Sequence, residues 1–404
     1  MAREPEAGGL RPVQDVAAPA APRLRVGLFT NNYFPMLGGV PTAVETIRRG
    51  LEALGHAAVI VAPRMAGSDD QGAPVIRVPA IPAPTYPDFA LPLPLGPALT
   101  RRLRALDLDV YHAHHPFLLG ASARRLARAA GRPLVFTYHT LYDRYAHHVP
   151  LPRPMVARQA IRRSTGFANT ADLVLAPSEF VARRLRAQGV DRPIEVLPTG
   201  VDLTRFRPGS RAAARQTLGL GDAERILLYV GRLDREKNLG LLLEAVARVA
   251  TPGTRLLLVG RGMQAPALRE LAAARGLGAR AEFRGGTPPD GLPTYYRAAD
   301  VFVFASTTET QGLAVLEAMA SGLPVVAVRA SGIEEVVAEG VSGLLVPEDP
   351  AVFAAAVTQV LADPDLAEKL AIGGREAAAR LGSLAMAERL VAAYGRARGE
   401  PPWS

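Results

Sequence analysis

The sequence has no cysteine in 404 residues, which excludes a disulfide-built secreted scaffold and a zinc–cysteine module. It also lacks any uninterrupted apolar run of the roughly 18 residues that a spanning helix needs, so no transmembrane segment is expected. The first 22 residues, MAREPEAGGLRPVQDVAAPAAP, mix acids with prolines and have no basic start followed by an apolar block. They read as a disordered tail and not as a signal peptide, and the chain is expected in the cytoplasm. Lysine is scarce: only Lys237 and Lys369 stand among 47 basic residues. In so Arg- and Ala-rich a chain, a lysine kept inside a motif is informative.

With 49% hydrophobic residues, the length suffices for two domains, each with its own core. The net charge of +9 is unevenly divided, because residues 1–200 hold 24 Arg and 15 acids whereas 201–404 hold 23 basic and 23 acidic residues. A one-sided basic domain suits anionic lipid surfaces or nucleic acid. A generic solvated surface is the alternative.

Short apolar, β-branched runs alternate with amphipathic stretches, the pattern of parallel strands joined by crossover helices. The first-half strands are expected at Arg25–Thr30, Ala57–Ala62, Val75–Val78, Asp109–Ala113, Leu134–Tyr138, Leu173–Ala176 and Ile194–Leu197. Those of the second half fall at Ile226–Val230, Leu256–Val259, Ala281–Phe283, Val301–Phe304, Val325–Val328 and Leu344–Val346. Two doubly wound sheets follow, joined near Gly200–Arg211: a first domain over 23–205 and a second over 206–380. Ser383–Arg398 is expected as a helix within a C-terminal segment, 381–404. Residues 79–97 carry seven prolines and are expected to form a long surface loop. Its Phe89, Leu91, Leu93 and Leu95 would either touch a membrane or acceptor or pack on the parent domain.

In open parallel sheets, ligands bind outside the C-terminal strand ends, so the cleft between two such sheets is the expected site. Three segments lie there. NNYFPMLGGV (31–40) follows the first strand, with Gly38 and Gly39 ahead of a helix whose N-terminus favours an anion; a tight turn would explain it as well. GRLDREKN (231–238) places Arg232 and Lys237 where two fixed cations can hold a diphosphate, or where a solvated loop carries them. STTETQGLAVLE (306–317) sets Glu309 in a loop, Gly312 at a helix start and Glu317 in that helix. Two carboxylates eight positions apart across such a turn can face one ligand, while N–H groups near Gly312 and Leu313 bind phosphate or a sugar hydroxyl; a capped surface helix is the plain alternative.

Together with APSEFVARRL (176–185), LPTGVDLTRF (197–206), VGRG (259–262), the run at 299–327 and GLLVP (343–347), these segments make the chain resemble a retaining, nucleotide-sugar-dependent glycosyltransferase of family 4 over residues 23–398. The resemblance implies the GT-B fold, two facing Rossmann-like domains with a C-terminal helix crossing back to the first. It implies that Arg232 and Lys237 neutralise the departing diphosphate. Glu317 would bind the ribose hydroxyls, and Glu309 with the Gln311–Leu313 backbone would hold the donor sugar. Gly39, beside Gly38, would let the first domain close over the phosphates. His139, in TYHT, matches the histidine that faces the sugar across the cleft. The acceptor hydroxyl would attack on the face from which the diphosphate leaves, and no general base is named.

Asp107 and Asp109, with His112, His114 and His115 nearby, resemble the acid pair of metal-dependent transferases, and alternation would put His112 and His114 on one face. Both acids precede a strand of the first half, and Arg232 with Lys237 already supply the charge, so neither metal nor cofactor is expected. HHPFLLG (114–120), TYHTLYDRYAHHVP (137–150) and TETQGL resemble bacterial diacylglycerol glucosyltransferases within the family. On that resemblance Tyr142, Tyr145, His147 and His148 line the acceptor side. Arg158, Arg162 and Arg163 on one helix, and Arg124, Arg125 and Arg128 on another, would contact an anionic membrane, unless they are solvated faces. The expected reaction moves glucose from UDP-glucose to diacylglycerol at the inner face of the cytoplasmic membrane, with nucleic acid no partner and no oligomeric state fixed. The alternatives are GDP-mannose or another donor with a phosphatidylinositol or soluble sugar acceptor, a nucleotide-sugar epimerase, an oxidoreductase using VGRG, or a non-catalytic binding protein.

Overall fold

The computed structural model describes residues 23–68, 70, 72–83, 86–93, 95–144 and 152–400. The expected tail, together with Tyr145, His147 and His148, lies outside the described residues. In chain order the strands are β1 (Arg25–Phe29), β2 (Ala57–Pro63), β3 (Val75–Val78), β4 (Ala80–Ala83), β5 (Tyr86–Pro92), β6 (Val110–Ala113), β7 (Leu134–Thr137), β8 (Leu173–Ala176) and β9 (Ile194–Val196). The second half adds β10 (Arg225–Val230), β11 (Thr254–Val259), β12 (Ala281–Gly285), β13 (Val301–Phe304), β14 (Val325–Val328) and β15 (Leu344–Val346). All thirteen strands read from the sequence are present, with ends shifted by at most two residues.

The first sheet runs β3-β2-β1-β6-β7-β8-β9 and the second β12-β11-β10-β13-β14-β15, and every pairing seen in both is parallel. These strands read as continuous apolar runs because helices cover both faces; every residue of VFVF in β13 and LVLA in β8 is buried. Strand order reverses at β1 in one sheet and at β10 in the other, which opens a crevice at the carboxyl ends there. The two sheets have separate cores.

Residues 79–97 are not the loop expected. They contain an antiparallel ribbon, β4 with β5, pairing Ala80 with Pro92 and Pro82 with Ala90. In a two-stranded ribbon half of the N–H groups point away from the ladder, and there proline removes no hydrogen bond. Leu95 is buried in the first-domain core, whereas Ile81, Leu91 and Leu93 remain exposed.

The helix Ser383–Ala397 packs on the helix Gly39–Ala53. It contributes Met386, Leu390, Ala393 and Tyr394 to the core cluster that contains Val26, Leu28 and Ile47. The last helix of the chain therefore completes one face of the first sheet. Arg215, on the helix Arg211–Leu218 that follows the connector, is 2% exposed. Its guanidinium donates to the carbonyls of Ala298, Gly221, Asp222 and Glu224 and pairs with Asp300 at 2.8 Å. Fully satisfied in this way, a buried charge is tolerated and anchors the helix to the second sheet.

Candidate active site

The loop 231–238 after β10 is held from below and from the side. Tyr229 Oη donates to the Arg232 carbonyl at 2.9 Å. The neighbouring loop after β11 bonds Leu233 N to Arg261 O at 2.8 Å, Gln264 N to Leu233 O at 2.9 Å and Met263 N to Asp234 Oδ1 at 3.0 Å. A Cβ at Gly260 or Gly262 would collide with the backbone of Gly231 or Leu233, so VGRG acts here as a close-packing device against the cationic loop. Arg232 pairs with Asp234 and, at 2.6 Å, with Glu236. Acidic partners thus hold its guanidinium in one orientation, a role that the sequence pattern does not reveal for them.

Lys237 Nζ pairs with Glu309 Oε1, bringing the loops after β10 and β13 together at the strand ends. Burial raises the pKa of Glu309, but the Lys237 charge, hydrogen bonds from Lys237 and Ser306, and Arg232 outweigh it, so the carboxyl titrates below its usual value. Gly312 has φ +87, the left-handed conformation that only glycine takes freely. It leads into the helix Leu313–Ala320. No hydrogen bond from the N–H groups of Gln311, Gly312 or Leu313 is made to the described residues. Unpaired first-turn donors of this kind, in the loop whose Glu309 pairs with Lys237, are able to receive an anion.

Glu317, one turn further on, is 8% exposed and accepts from Tyr296 Oη at 2.7 Å. Burial raises its pKa to about 7, against the opposing pull of the Tyr296 hydrogen bond and the Arg205 charge. The hollow beside it is lined by Thr42 and Glu45 of the first domain, Gly200 and Arg205 of the connector, and Pro289 and Leu313 of the second domain. Tyr296 and Arg205 are partners of Glu317 that sequence reasoning missed. Only the TRF in the connector motif hinted at the arginine, and nothing local hinted at the tyrosine.

From the first domain, His139 follows β7 and meets the Glu309 loop directly: Thr310 Oγ1 donates to the His139 carbonyl at 3.1 Å. Burial lowers the His139 pKa to about 4, so its ring is neutral at physiological pH. Gln311 spends its side chain on the connector, accepting from Thr199 N and donating to Thr199 O, each at 2.8 Å. Its position is therefore set by the connector, and its side-chain amide is already engaged there. Glu335 reaches across to cap the first-domain helix Glu179–Ala187, accepting from Glu179 N at 2.7 Å and Phe180 N at 2.6 Å. Gly39 faces open space: a Cβ placed there would have no neighbour within 4 Å.

The remaining candidates all belong to the first domain. Tyr142 packs edge-on against Phe117 and Tyr138, with ring centroids 5.4 Å away in each case. Arg158, Arg162 and Arg163 are exposed on the helix Arg153–Ala168, with Met155 exposed on the same helix. Asp107 pairs with Arg25, and Asp109 accepts from Arg25 N at 2.8 Å. His112 and His114 share a face, their ring centroids 4.2 Å apart. Among the described residues no group of three or more His, Asp or Glu is placed to hold a metal ion, and no helix is long and apolar enough to cross a membrane.

Residues 37–205 match Glycosyltransferase Family 4 and residues 210–377 match Glycosyl transferases group 1. An alpha-monoglucosyldiacylglycerol synthase from Streptococcus pneumoniae is 32% identical over 356 residues, covering 85% of this chain and 80% of that one. A GDP-mannose-dependent alpha-mannosyltransferase from Mycobacterium tuberculosis is 33% identical over 330 residues, 80% of this chain and 84% of its own length. The crystal structure of Anabaena HepE in complex with UDP-glucose superposes with a TM-score of 0.76 at 21% identity, covering 93% of this chain and all of the other. Two facing parallel sheets, a family match on each and relatives above 30% identity over most of their length lead to one conclusion: the chain belongs to glycosyltransferase family 4, a hexosyltransferase of GT-B fold.

Proposed function

We propose that this enzyme transfers glucose from UDP-glucose to diacylglycerol at an anionic membrane surface, with retention of anomeric configuration. The observation that carries the donor half is the convergence of the Lys237–Glu309 pair, Arg232, the Gly312 turn and His139 at facing strand ends. Arg232 and Lys237 neutralise the leaving diphosphate while Gln311–Leu313 donate N–H groups to donor oxygens. Glu317 accepts from the ribose hydroxyls, Glu309 orients the sugar, and Gly38 and Gly39 allow close approach from the first domain. The acceptor hydroxyl passes its proton to the departing phosphate oxygen, so positioning and charge stabilisation carry the rate and no bound metal is required.

Two observations support the lipid acceptor. Relatives named alpha-monoglucosyldiacylglycerol synthase match 80% or more of this chain. The Arg158, Arg162 and Arg163 face with exposed Met155 suits an anionic leaflet, each cation contributing about 1 kcal/mol. Tyr142, Tyr145 and His147 are assigned to the acceptor side. Transfer from radiolabelled UDP-glucose into diacylglycerol in anionic micelles, unchanged by chelator, is the expected result. Absence of lipid-soluble label from UDP-glucose and UDP-galactose alike overturns the reading. A mannosyl donor is the second reading, favoured by the 33% identity of the GDP-mannose-dependent relative, and a donor panel with GDP-mannose separates the two.

A further inference from the structure

The roles above use none of the buried histidines His112, His114 and His115, and one of them is incompletely bonded. His114 follows β6 and is fully buried. Its Nδ1 lies 2.9 Å from Nε2 of His139, with the rings stacked at 5.2 Å and 23°. Its other nitrogen, Nε2, is buried with no hydrogen-bond partner among the described residues. His112 stacks beside it, but both nitrogens of His112 are engaged, with Tyr394 Oη and Thr137 Oγ1, each at 2.7 Å. His112 therefore wedges His114 in place without offering it a partner.

A neutral imidazole carries one N–H and one bare nitrogen. An N–H buried without an acceptor is costlier and rarer than an unused acceptor, so the proton of His114 belongs on Nδ1 and the orphaned Nε2 stays bare. Nδ1–H then donates to His139, whose Nε2 must accept, and the single proton of His139 is left on Nδ1. That nitrogen makes no hydrogen bond to the described residues. We propose that His114 is a positioning residue that locks His139 in the Nδ1–H tautomer, so that an oxygen of the donor sugar meets a hydrogen-bond donor there. The proposal rests on the reading of His139 as a sugar-facing group; the tautomer itself can be measured without substrate.

The test uses the full chain labelled with 15N-histidine at pH 7.5. The seven histidines are resolved by long-range nitrogen–proton correlation, and His139 is assigned by its loss in His139→Gln. The expected pattern is a protonated Nδ1 and a bare Nε2 on His139, kept in His114→Asn, whose amide N–H replaces the Nδ1 donor, and lost to tautomer exchange in His114→Phe. Nε2–H on wild-type His139, or an unchanged pattern in His114→Phe, overturns the proposal. If His114→Phe does not fold, the wild-type and His114→Asn spectra still decide. With the donor and acceptor established, His114→Phe is expected to lose about tenfold in kcat, one hydrogen bond's worth, with His114→Asn restoring most of it. Wild-type turnover in His139→Ala would remove the sugar-facing reading of His139 and leave the tautomer assignment standing.

Discussion

At the residue scale, the site depends on charges that restrain one another before any ligand arrives. Lys237→Ala removes the proposed diphosphate partner, and Glu309→Gln removes the counter-charge that Lys237 pairs with. Each is expected to lower kcat/KM about a hundredfold or more with an unchanged circular dichroism spectrum; near-wild-type turnover in either would displace the site. Glu317 gives a pH test. Its folded pKa, raised by burial to about 7, exceeds the ordinary value of 4.5, so the folded state binds the proton more tightly than the unfolded one. Stability is then lost as pH rises from about 4.5 through 7, by on the order of 3 kcal/mol. Glu317→Gln should accordingly melt higher than wild type at pH 8, show no such gain at pH 4.5, and bind donor more weakly. That Arg232, Lys237 and Glu309 follow strand ends and that Glu317 lies on the next helix could be read from sequence, because the strands themselves are legible as apolar runs. The bond from Tyr296 and the nearby charge of Arg205 could not be assigned to Glu317, because they arise from tertiary packing across elements that no local pattern connects.

At the element scale, the alternation of buried strands and crossover helices was legible because parallel strands covered on both faces must be apolar throughout. The β4–β5 ribbon was not, because seven prolines argue against a central strand and only the pairing reveals where the missing N–H groups are harmless. VGRG was equally open to a nucleotide-binding reading, and only the collision of a Cβ with the Gly231 and Leu233 backbone shows that it braces the cationic loop. The helix Arg211–Leu218 tests the packing account. Arg215→Ala takes the donor from four carbonyls and one of the two arginine partners from Asp300, which keeps Arg211 and the Ile226 N–H, so a loss of about 3 kcal/mol in unfolding free energy is expected from denaturant titration. A change below about 1 kcal/mol would mean that the buried guanidinium contributes little. The buried histidines bear on acid stability. Burial holds His112 and His115 to about 3 and His139 to about 4, so stability is lost as pH falls from 6.5 toward those values while the unfolded chain takes up protons.

At the scale of the whole molecule, the two domains divide the labour by charge as well as by fold. The entire excess of basic residues belongs to residues 1–200, where the Arg158, Arg162 and Arg163 face is exposed. Binding to vesicles containing anionic lipid is expected to weaken steeply between about 0.05 and about 0.5 M salt, as screening shortens the reach of surface charge. Salt-independent binding would assign the contact to exposed Leu91 and Leu93 of the ribbon instead. The two domains also share side chains: Gln311 ties the site to the connector, Glu335 caps a first-domain helix, and Tyr394 bonds the first-domain His112 from the last helix. The central claim, glucose transfer to a diglyceride with retention, is tested most directly by the product. The purified chain, UDP-glucose and diacylglycerol in anionic vesicles are incubated, and the lipid extract is analysed by mass spectrometry and by the anomeric proton coupling. The account predicts a monohexosyl diacylglycerol with the α linkage of the donor. A β-linked glycolipid would contradict the mechanism, and a sugar product confined to the aqueous phase would contradict the acceptor.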